Sequence, residues 1–213
     1  MNGPVTNTAV LDPAVLACHD LLVRLAGRLP DELLWRLRDW LAADGYAALG
    51  HTLPRALLRH RVGLTDNEQE MLQASVGQWG GRQRLIDAVL PLAAPEEPDV
   101  DFDPLTDSSA GQDVIDLVVV AVARGHAGTV EIRRTWRLDA HRAQRVVLAH
   151  CTERQPTLTG TLQRVLRAHG DRTPSVEVLS PKLGLPAYHR LALLASMPLW
   201  QASHVRDAAP VAS

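Results

Sequence analysis

The chain has 213 residues and 46% apolar content, which accommodates one large domain or two small ones and excludes wholesale disorder. No apolar run approaches the roughly 20 residues that span a bilayer, so no membrane segment is expected. Two cysteines, Cys18 and Cys151, exclude a disulfide or thiolate–metal framework, and the formal net charge of −2 conceals a strong segregation along the chain.

The opening "MNGPVTNTAVLDP" has neither a basic n-region nor an apolar h-region, so the expectation is a cytoplasmic protein with reduced thiols. Asp12 before Pro13 places a capping side chain ahead of a proline at the first helical position. Leu16, Val23 and Leu25 give this helix an apolar side up to about Gly27. Pro30 and Asp31 open a second helix, in which Leu33, Leu34, Leu37, Trp40 and Leu41 recur at helical spacing, with Gly45 as its stop. A shorter helix is predicted from Leu53 to His60. "TDNE", Thr65 to Glu68, is a capping box that starts a helix through about Val76. After the break at "GQWGG", the stretch "RQRLIDAVL" supplies a last helix ending near Pro91. Residues 12–91 thus read as a helical module, a bundle of short antiparallel helices.

Charge then changes abruptly. Residues 1–94 carry 9 Arg against 10 Asp/Glu, residues 95–116 carry 8 acidic residues and no basic one, and residues 117–213 carry 13 Lys/Arg against 6 Asp/Glu. Like-charge repulsion, prolines and low hydrophobicity all disfavour packing, so residues 92–112 read as an acidic Pro/Ser-rich linker. The basic residues are arginines except for Lys182. This lysine-poor usage fits a GC-rich, bacterial-like genome, and is not read as arginine selected for phosphate forks.

Beyond the linker the period changes. Val114 to Ala123, a nearly continuous valine-rich run, is predicted as a strand buried on both faces. In "TVEIRRTWRL" the apolar Val130, Ile132, Trp136 and Leu138 alternate with Glu131, Arg133, Thr135 and Arg137, a half-buried strand in which only Arg134 offends on the inner face. "RVVLAHC" is a third strand, "TLTGTLQRVLRAHG" a helix, "SVEVL" a fourth strand and "PAYHRLALLASMPLW" a final helix from Pro186. The expected fold class is α+β: a short-helix bundle followed, over 113–201, by a small mixed sheet in the order β-β-β-α-β-α with its helices on one face, and a tail at 202–213.

Several constellations invite a function. Asp116 followed by Glu131-x-Arg133 has the spacing of a metal-dependent nuclease. However, arginine stands where a water-positioning lysine belongs, and a third strand follows where a helix is expected. A solvated face with Glu–Arg pairs explains the same residues. Arg133, Arg137, Arg142 and Arg145 form a candidate basic face for nucleic acid, but one Phe and two Tyr in the whole chain leave few rings on which bases could stack. The nine histidines form no metal-ligand pair, and no phosphate-binding or nucleophile motif occurs, so neither metal nor cofactor is expected. Trp35 lies on a polar helix side with Arg38, Asp39 and Ala42. A Trp so placed is a common anchor at protein contacts.

The leading expectation is therefore a non-enzymatic, adaptor-like or regulatory protein that engages a protein partner or a second copy of itself through Trp35 and Arg38. A nucleic-acid-binding regulator is the alternative. An enzyme with groups such as Asp116, Glu131 and His150 in a cleft between the modules is the third.

Overall fold

In a computed structural model of the chain, residues 12–96, 99–104, 113–139, 142–181 and 184–203 are described. The fold class is α+β, with five strands in one mixed sheet and helices before and around it.

The helical part runs as α1 (Pro13–Arg24), α2 (Asp31–Ala42), α3 (Tyr46–His60), α4 (Asp66–Ser75) and α5 (Gln83–Asp87). Local chemistry sets their starts. The Asp12 carboxylate accepts from the Ala14 amide at 2.9 Å ahead of Pro13. The capping box closes in both directions, with the Thr65 hydroxyl taking the Glu68 N–H and the Glu68 carboxylate taking the Thr65 N–H. Asp31 and Glu32 sit in the first turn of α2, where they complement the helix dipole. α3 starts earlier than the predicted Leu53 and runs through Pro54. Leu21, Leu22, Leu25, Leu37, Leu49, Leu53, Leu57, Leu72 and Ile86 form its fully buried centre.

The second part comprises β1 (Asp101–Asp103), α6 (Val114–Arg124), β2 (Thr129–Asp139), β3 (Arg142–Cys151), α7 (Gln155–Ala168), β4 (Ser175–Leu179), α8 (Ala187–Leu194) and β5 (Met197–Gln201). β2 and β3 form an antiparallel hairpin, and β4 joins β3 in parallel after the α7 crossover. β1 and β5 both pair with the remaining edge of β2, β1 against Trp136–Leu138 and β5 against Glu131–Arg134.

Three expectations are corrected here. The run Val114 to Ala123 is a helix, not a strand. Asp113 caps it by accepting from the Asp116 N–H at 2.9 Å, and its buried residues, Asp116, Val119 and Ala123, recur at helical spacing. An apolar run of this length satisfies either period, and the cap and the Gly125 stop decide in favour of helix. The order is consequently β-α-β-β-α-β-α-β rather than β-β-β-α-β-α. The predicted final helix stops at Leu194, and Met197–Gln201 return as an edge strand whose Pro198 lies at a register shift.

Finally, the helices cover both faces of the sheet instead of one. Ile132, Val147, Ala149, Val176 and Val178 pack under α6 and α7, while Val146, Leu148 and Leu179 pack against Val23 of α1 and Ala192 of α8. Within the interval read as a linker, Asp101–Asp103 form β1, and residues 97–98 and 105–112 lie outside the described residues, as do 204–213 of the tail.

Candidate functional site

The helical part docks on the free edge of β4 through charged side chains. Arg38 is 3% exposed and holds Glu177 with two bonds of 2.7 Å, while also donating to Val176 O (3.0 Å) and Leu22 O (2.9 Å). His189 Nε2 lies 2.9 Å from Oε2 of the same carboxylate, an oxygen it shares with Arg38. His19 Nε2 donates to Val178 O at 2.9 Å, so the edge carbonyls of β4 are capped by side chains from α1 and α2. Burial lowers the His19 pKa to about 4, so the ring stays neutral and Nε2 keeps its hydrogen. Burial alone would raise Glu177, but Arg38 and His189 outweigh it and hold the carboxyl at about 2.

Arg38, expected on the outer side of α2, is thus a buried tie between the two parts. Trp35 is half-buried, and the Arg167 guanidinium of α7 lies 4.2 Å from its ring centroid. The indole that the sequence placed at a contact packs in part against α7 of its own chain. Burial pushes the Cys18 thiol up to about 12, and both cysteines are free and buried.

The candidate basic face divides between the two sides of the sheet. On the α8 side, Arg133 bonds Glu131 (2.6 Å) and Ser196, and Arg137 bonds Asp31 of α2 and Gln144 (2.6 Å). On the α6 side, Arg145 bonds Asp113 and Asp116 (2.8 Å) and lies over the Trp136 ring, and Arg134 bonds Asp116. The Arg142 side chain lies outside the described residues. The offending Arg134 and the acid inside the valine run therefore neutralise each other. Glu131 and His150 do meet, at 3.3 Å, but Asp116 is on the opposite side of the sheet, and no group of three or more His, Cys, Asp or Glu could hold a metal among the described residues.

Exposed apolar side chains occur on α6, at Val114 and Leu117, and on α8. No described strand pairs with the outer edge of β1. Beside β1, Leu191 and Leu194 of α8 stand 43% and 85% exposed. With Val100, Phe102 and Ala195 they line a groove of about 340 Å³. Scans of protein-family models, curated proteins and solved structures find no match to this chain.

Sequence reasoning passed over Leu191 and Leu194. A signal existed: in "AYHRLALL" six of eight residues, Ala187, Tyr188, Leu191, Ala192, Leu193 and Leu194, are apolar or aromatic and surround the helix. One buried face cannot cover them all.

Proposed function

We propose that the chain is a non-enzymatic protein-interaction module that takes an extended peptide segment along β1. Two modules, 12–91 and 113–201, are fastened to each other through Arg38, and the shared sheet offers a partner the outer side of β1, beyond which no described strand lies. The observation that carries this reading is the juxtaposition of that edge with Leu191 and Leu194. Main-chain pairing supplies affinity to an added strand, and alternate side chains enter the adjoining pocket. An apolar pair this exposed beside an open edge is unusual unless something covers it. Asp101 lines the groove and Asp99 stands exposed just before β1, so the segment it fits alternates apolar with lysine or arginine residues. The arginines of the sheet support this reading over nucleic-acid binding, because Arg133, Arg137 and Arg145 are engaged by carboxylates of their own chain.

The test is selection of random peptides displayed on phage against the intact chain and its Leu194→Asp variant. Enrichment of alternating apolar–basic peptides, lost in the variant at unchanged melting temperature, is the expected result. Absence of enrichment, or enrichment indifferent to Leu194→Asp, overturns the reading.

A further inference from the structure

A second concavity, of about 360 Å³, opens between the helical part and the start of α8. It lies at the low end of the range of small-molecule sites, roughly 300–1,000 Å³. Three arginines from three places line it: Arg24 at the end of α1, Arg28 in the turn that follows, and Arg190 of α8.

Their bonding is incomplete. Among the described residues, Arg24 makes one long bond, 3.4 Å, to Gly184 O, and its buried Nε–H has no acceptor. Arg28 is tied to Glu68 at 2.8 Å and to Gly63 O, yet its Nε–H is also buried without an acceptor. The exposed Glu96 carboxylate hangs 3.7 Å from that Nε, beyond hydrogen-bond reach. A buried N–H left unbonded is unfavourable, so an oxyanion that enters the cleft and accepts from these guanidinium groups is favoured.

The backbone adds to this. Pro186, Ala187 and Tyr188, at the N-terminus of α8, belong to the same wall, and no side chain caps the helix. Its first N–H groups and its dipole favour negative charge in the cleft.

We propose that this cleft binds the phosphate group of a small molecule. Donors converging from three directions suit a tetrahedral dianion with several acceptor oxygens, and guanidinium forks match phosphate geometry. Glu96 competes as a weak internal occupant and is displaced on binding. The proposal stands apart from the peptide groove, and its readout does not involve a peptide.

The experiment is thermal unfolding and calorimetric titration of the full chain with inorganic phosphate, at constant ionic strength set with chloride, with acetate in parallel. Phosphate should stabilise saturably and acetate should not. Arg24→Gln should weaken binding about tenfold, the loss expected for one charge-assisted hydrogen bond. The exposed Arg190→Gln, which does not threaten folding, should weaken it in the same direction, and Glu96→Gln should tighten it. An equal response to acetate overturns the phosphate assignment. A wild-type response absent or non-saturable, or unchanged in both arginine variants, overturns the site.

Discussion

Arg38 and Arg28 are both buried arginines of the helical part, and they differ in one respect. Both terminal nitrogens of Arg38 are bonded twice, to Glu177 and to two main-chain carbonyls, whereas the Nε–H groups of Arg28 and its neighbour Arg24 find no acceptor. The first region is closed: its charges are matched inside the chain, and the His19 and Arg38 donors cap a strand edge that would otherwise be open. The second faces a cleft and holds donors in excess of acceptors. Residue type alone does not separate Arg38 from Arg28; the partners that their donors find do.

The largest effect should come from breaking the closed region. Glu177→Gln leaves Arg38 buried without its counter-charge, which should lower unfolding free energy by about 3–5 kcal/mol in urea denaturation. A loss under about 1 kcal/mol would show that the network does not hold the two parts together.

The pH response of the same region comes next. Native His19 stays neutral down to about 4, while the unfolded ring takes a proton near 6.5. Its contribution is therefore complete above pH 6.5 and is lost as pH falls towards 4, by about 3 kcal/mol. Glu177, held at about 2, adds a separate loss as pH falls from 4.5 towards 2. His19→Gln, whose amide can still donate to Val178 O, should flatten the upper window and leave the lower one. Denaturation series at half-unit pH steps would reveal the two windows, and an unaltered upper window in the variant would contradict the assignment.

Trp35→Ala tests the cover over α2. Removing the half-buried ring beneath Arg167 should cost about 1–2 kcal/mol, part of it cation–π attraction, without altering oligomeric mass. A change in mass with unchanged stability would place the indole at an intermolecular contact instead.

The smallest effect belongs to the open cleft. Arg24→Gln removes a cation whose one bond among the described residues is long, so stability without ligand should stay within about 0.5 kcal/mol. A loss as large as that of Glu177→Gln would mean that the two regions are alike, and would erase the contrast between them.

Local signals were legible where one short stretch holds all the partners. The Asp12 cap, the Thr65–Glu68 box and the alternation of β2 each bind residues two to four apart or repeat along one strand, and each is realised. The Glu131–Arg133 pair is of the same kind. Val114 to Ala123 misled because period two and period 3.6 both suit a run with few polar residues to mark a face. Its Asp116 was the mark, but its meaning lay in Arg134 and Arg145, 18 and 29 residues away.

The sequence by itself determined the α+β class, the helical first part, the hairpin and the crossover after it, because propensity, caps and hydrophobic period act over a few residues. Tertiary structure alone decided the matches of Arg38, Arg137 and Arg167. The partners of Arg38, Arg137 and Arg167, namely Glu177, Asp31 and Trp35, lie 139, 106 and more than 100 residues away, and no local pattern records them. The same holds for both proposed sites. The groove needs β1 and α8 brought side by side, and the cleft needs the end of α1 to meet the start of α8. Exposure and donor satisfaction are properties of what surrounds a side chain, and that is settled only when distant segments pack.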